Sequence, residues 1–185
     1  MKRLVFIAGG ICISTMSIFG EVNVGDVYKI NLPDVDGNTH ATADGRITIL
    51  VLTNQANTDK ARTLADRVPD FCLGDPTSYR MITVIALEKQ HSQPVRAIFS
   101  AVMRHRLDSE ARQLQARYDR LKISRDARHD VFAVADFDGA ISAQLDAKFE
   151  AGLFRVFVFG RKGELLKRWS DVPSAEDLAA VLKRN

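Results

Sequence analysis

Cysteine is scarce here: the 185-residue chain has two, Cys12 and Cys72, and only Cys72 lies outside an N-terminal apolar run. No disulfide framework can be built from them. Histidine is sparse too, and His40, His91, His105 and His129 show none of the spacings by which side chains gather around zinc. Two acidic segments, Asp34-Val35-Asp36-Gly37 and Asp136-Phe137-Asp138-Gly139, lack the terminal glutamate of a calcium loop and read as turns. No serine stands in a nucleophile elbow, so nothing supports hydrolysis. There is no internal repeat and no low-complexity linker, and neither a metal nor a cofactor is expected.

What is present begins with Lys2 and Arg3 ahead of an uncharged apolar run from Leu4 to Phe19, ending in small Gly20. This is the layout of a secretory signal peptide cleaved near Gly20. A retained membrane anchor is the competing reading, but the run is shorter than the ~20 residues a spanning helix needs. Ile11 before Cys12 argues against lipidation, because lipoprotein signals place a small residue there. The expectation is an exported protein, periplasmic or secreted, with one domain over residues 21–185. Loss of Lys2 and Arg3 lowers the net charge from +3 to +1, so global charge selects no partner. Cleavage leaves Cys72 without an intramolecular mate. With 46% hydrophobic residues, stability must come from packing.

The mature segment alternates strand and helix signals. Val27 to Leu32 alternates as a half-buried strand, Pro33 ends it, Asp36-Gly37-Asn38 turns it, and a return through His40 to Ala43 completes a hairpin. Ile47 to Leu52 is a run of Ile, Thr, Leu and Val with too little alternation for a half-exposed strand, as in a parallel strand covered on both faces. Ala61, Leu64, Ala65 and Val68 then mark one helix face, with Asn57 or Thr58 as cap and Pro69 as stop. Met81 to Leu87 completes a βαβ unit, Val131 to Ala135 is a third buried strand, and Phe154 to Phe159 a fourth. Arg161-Lys162-Gly163 turns that strand into Glu164 to Trp169 at the sheet edge. A last helix starts at Ser174 with capping-box spacing to Asp177 and buries Leu178, Val181 and Leu182. Between the second and third buried strands, Pro94 to Leu121 carries two apolar stripes, Val95/Phe99/Val102/Met103 and Ala111/Leu114/Tyr118/Leu121. They predict one long helix or two bent near Arg106 to Ser109.

This order of elements resembles the thioredoxin-like superfamily, in its alkyl hydroperoxide reductase and thiol-specific antioxidant branch. The likeness is carried by Val24-Gly25-Asp26, Leu32 to Asn38, the strand Ile47 to Leu52, Asp136 to Gly139, and Phe159 to Trp169. It implies a three-layer α/β sandwich: a central mixed sheet, an N-terminal hairpin and a helical insert before the third buried strand. The chemistry does not follow. The family's Trp-Cys-x-x-Cys-Lys aligns with Gln55-Ala56-Asn57-Thr58-Asp59-Lys60, so Ala56 and Asp59 stand at the thiol positions. The peroxiredoxin Thr-x-x-Cys aligns with Thr53-Asn54-Gln55-Ala56, and the family's cis-proline falls near Arg155. Exported thioredoxin-fold proteins of the YtfJ type are similar in signal peptide, missing dithiol and C-terminal hairpin with helix.

Three places could carry function. Asn54, Asn57, Thr58, Asp59 and Lys60 surround a helix start that could hold a small anion or a peptide carboxylate; the plainer reading is capping. Cys72, the thiol left after processing, could serve a thiol-dependent antioxidant or redox activity. With Asp70 and Asp75 beside it, and a helix C-terminus before it, an inert structural cysteine is the plainer reading. Residues 96–128 hold eight arginines and Lys122 against four acids. Arg112, Arg117 and Arg120 could dock an acidic protein or an anionic membrane surface, or form a solvated face with pairs such as Asp108 to Arg112. Nucleic acid is not expected of an exported chain without interleaved aromatics. A non-catalytic binding or adaptor module for a protein or peptide is the leading expectation, a Cys72 redox protein the alternative.

Overall fold

A computed structural model describes residues 22–88 and 91–184. The expected leader, its cleavage point and Cys12 lie outside them. The described strands form a two-stranded hairpin, β1 (Asn31–Pro33) with β2 (Thr39–Ala41), and a five-stranded sheet of order β5-β4-β3-β6-β7. In it β3 (Ile47–Thr53), β4 (Tyr79–Ala86) and β5 (Phe132–Asp136) are parallel, while β6 (Phe154–Phe159) and β7 (Leu165–Trp169) run antiparallel to their neighbours. All seven residues of β3 are buried, Thr48 and Thr53 among them, as the lack of alternation predicts.

The pleat sorts the core. Leu50, Leu52, Ile82, Val84, Phe157 and Phe159 point to one face, beneath the hairpin and the short α4 (Ala140–Gln144). On the other face Ile47, Ile49, Val51, Val156 and Val158 meet α1 (Thr58–Arg67), α2 (Asp70–Gly74) and α5 (Ala175–Lys183) through Ala61, Leu64, Leu178 and Leu182. The insert is one unbroken helix, α3 (Gln93–Leu121), which packs Met103 and Leu107 on Ile85 and Ala133 of that same face.

Several elements differ from expectation. Ile30 still bonds Thr42, but Val27 to Lys29 does not extend the hairpin, because it leans on the β6–β7 turn: Tyr28 N–H donates to Gly163 at 2.8 Å and Leu165 N–H to Asp26 at 2.8 Å. Gly163 has a φ of +87°, and a Cβ there would stand 2.7 Å from the Tyr28 carbonyl oxygen, so the turn requires glycine. Pro69 stops α1 but also opens α2, which carries Cys72. Ala65 is exposed. On α3, Phe99, Met103, Leu107, Ala111 and Tyr118 face inward, whereas Val95 and Val102 are exposed, so the two expected stripes give way to one running almost entirely in steps of four. Asp108 pairs with Arg128, not Arg112, at 2.9 Å. Asp136 is buried and caps α4, accepting from Ile141 N–H, Ser142 N–H and Ser142 Oγ. Ser174 caps α5 as its spacing predicts, taking the Asp177 N–H at 3.0 Å.

Candidate functional site

At the helix start beyond the C-terminal end of β3, Asn54 and Asn57 bond within the chain, while Gln55, Ala56 and Asp59 are exposed. Asn54 is 4% exposed and caps a 3-10 turn, Gln55–Asn57, so the cap stands one turn earlier than Asn57 or Thr58. Its amide nitrogen donates to the carbonyls of Glu150 (3.0 Å) and Ala151 (2.8 Å). The Asn57 amide donates to Asn54 Oδ1 (2.9 Å) and to Ala151 (3.2 Å), and Thr58 Oγ1 to Gln55 (3.2 Å). Lys60 pairs with Asp171 at 2.9 Å, and the hydrogen bond holds the Asp171 carboxyl below the usual range. Thus the chain ahead of β6 is zipped onto the segment that would carry a dithiol, and the side-chain donors there are already engaged. Arg155, at the expected cis-proline position, lies inside β6 opposite Leu52 and pairs with Glu150 at 3.0 Å.

Cys72 is 4% exposed and packs with Ile47, Ala61, Leu64 and Val68. Burial pushes its thiol up to about 12, with the Asp75 charge adding to the rise and Arg117 opposing it. A neutral thiol is neither a nucleophile nor a ready target for peroxide.

The basic insert resolves into ties. Arg117 reaches from α3 to Asp70 (2.5 Å) and to the carbonyl of Val68 (2.6 Å), satisfying the end of α1. Arg104 donates to Val35 (2.8 Å), Arg96 pairs with Asp138 (2.5 Å), and Arg128 with Asp36 (2.7 Å) as well as Asp108. Arg112 and Arg120 remain exposed. The window's positive excess therefore arises because its acidic partners sit elsewhere in the chain.

Sequence reasoning missed a fourth place. Between the packing of α1 and α2 and that of α3 lies a groove of about 610 Å³, floored by β3, β4 and β5. Tyr79, Met81 and Thr83 of the interior strand β4 are only half-buried there, with Tyr79 edge-on to Phe71 of α2 at 5.7 Å. The sequence carried no signal for this, since charged Arg80 is buried while apolar Tyr79 and Met81 are half-exposed, the reverse of what residue type predicts. Thr58 and Asp59 line the groove at one end of α1 and Cys72 beyond the other, so the first and second candidates share a groove without meeting in it. Among the described residues no group of His, Cys, Asp and Glu could hold a metal ion, and no helix is long and apolar enough to cross a membrane.

No protein-family model and no curated protein matches this chain. Solved structures do. The pneumococcal exposed lipoprotein thioredoxin of Streptococcus pneumoniae superposes with a TM-score of 0.54 at 15% identity, covering 85% of this chain and 100% of its own. Peroxidoxin BcpB of Mycobacterium tuberculosis gives 0.52 at 16% identity, covering 87% and 96%. At such identities the likeness speaks to backbone arrangement, and with the mixed sheet and its two helical layers it establishes that this chain has the thioredoxin-like fold.

Proposed function

We propose that this is an exported thioredoxin-fold protein of the cell envelope that works by non-covalent binding and not by thiol chemistry. The observation that carries the reading is the helix start, which has no thiol and whose asparagine amides are already engaged. Ala56 and Asp59 supply no thiol, and Asn54 and Asn57 spend their amides on the backbone of residues 150–153. The one described cysteine is buried with its thiol raised to about 12, which weighs against a Cys72 antioxidant. Export is supported by the charged and apolar layout of residues 1–20 and by the lipoprotein thioredoxin among the structural neighbours. In an insulin-reduction turbidity assay with dithiothreitol, the purified protein should leave the onset of precipitation where dithiothreitol alone puts it. Catalytic acceleration would refute the reading.

A further inference from the structure

The groove between α1/α2 and α3 has the size of a small-molecule site, for which ~300–1,000 Å³ is usual. Its lining is mixed in a particular way. The floor and walls are apolar, with Ile49, Met81, Ile85, Met103, Leu107 and Phe132 among them, while seven arginines and four acids also contribute. Two ion pairs tie its walls together: Arg62 of α1 with Glu110 of α3, and Arg117 of α3 with Asp70 of α2. Glu110 and Arg117 are ~10 Å apart along the helix axis. Arg106 lies about one turn before this tied stretch and Arg120 about one turn after it. Both line the groove, both are exposed, and neither has a charged or hydrogen-bonding partner among the described residues.

We infer that the groove binds a single-chain amphiphile with an anionic head, of the fatty-acid type. The acyl chain lies on the half-covered β4 residues beneath the two ties, and the carboxylate is taken by an unpaired guanidinium, Arg106 or Arg120, in the bidentate geometry that arginine favours. A single methylene chain passes under such ties. A peptide helix of ~10–12 Å diameter would have to break both. This inference rests on the non-catalytic binding reading and gives that reading a ligand class.

The test is calorimetric titration of the purified protein with dodecanoate and, separately, with dodecyltrimethylammonium, each below its micellar concentration. Dodecanoate should bind saturably at one per chain, and the cation at least about tenfold more weakly, since charge complementarity sets the preference. Arg106→Gln or Arg120→Gln should raise the dodecanoate Kd about tenfold, identifying the head site through loss of a charge-assisted pair. Ala65→Trp, at an exposed helix position on the groove wall, should abolish binding while the melting temperature is kept; Thr83→Phe fills the floor and serves as the second variant. The inference is overturned by absence of saturable binding, by equal affinity for the cation, by indifference to both arginine variants or to both filling variants, or by an acidic helical peptide binding where dodecanoate does not. Insulin reduction on the same preparation separates the two readings. Turnover defeats the non-catalytic proposal whatever the titration shows, whereas failed titration without turnover defeats the ligand alone.

Discussion

At the scale of single residues, polar groups in this protein are spent on structure. Asp34 shows this most fully: nearly buried, it accepts from the backbone of Asp36 (3.0 Å) and Asn38 (2.8 Å) and from His40 Nε2 (2.8 Å). Burial alone would raise its carboxyl, but the His40 and Asn38 hydrogen bonds outweigh that and hold it below its ordinary value. A lowered carboxyl contributes stability above its unfolded value near 3.9, and that contribution drains away as pH falls through the folded value. Thermal melts from pH 7 to pH 3 should therefore decline more steeply for the wild type than for Asp34→Asn, whose hairpin is weaker throughout. Cys72 runs with the opposite sign. Its thiol, raised to about 12, keeps its proton in the folded state while the unfolded chain loses its own near 8.5, so stability falls as pH rises beyond that point. Iodoacetamide at pH 8 should label native Cys72 at least about a hundredfold more slowly than urea-unfolded chain, because only the thiolate reacts.

Among the elements, the helix start after β3 and the long α3 show what the sequence disclosed and what it withheld. The strand Ile47–Thr53, the helix after it and the Ser174 cap were readable because each depends on local periodicity or on a spacing of three residues. The zip between Asn54 and residues 150–151 was not readable, since it joins positions almost a hundred residues apart. The same holds for the basic insert, where Arg117 and Arg128 find acids at positions 70 and 36. A window count sees only unbalanced charge. Two substitutions measure these ties. Asn54→Ala removes the four hydrogen bonds that this buried side chain makes, and urea unfolding should report a loss of about 1–3 kcal/mol. Arg117→Ala uncaps α1 and unties it from α3; the expected loss is about 1–2 kcal/mol, with hydrogen exchange rising first at the amides of α1 and α2. No change in either measurement would mean that the contacts do not hold these elements in solution.

For the whole molecule, the thioredoxin-like fold was legible from element order, and the groove was not. A long helix that follows β4 and packs toward β5 leaves the middle of the sheet face between two packed clusters, and only the assembled layers reveal the gap. At the helix start after β3, where the family resemblance places a dithiol, Ala56 and Asp59 supply no thiol and the Asn54 and Asn57 amides are engaged, while the adjacent groove is arginine-rimmed. The proposed binding surface is therefore the flank of α1 and not its start. Amide and methyl NMR shifts on addition of dodecanoate test that displacement most directly. The account predicts shifts at Ile49, Met81, Thr83, Met103 and Leu107, with Asn54 and Asn57 unmoved. Shifts confined to Asn54 through Lys60 would contradict it.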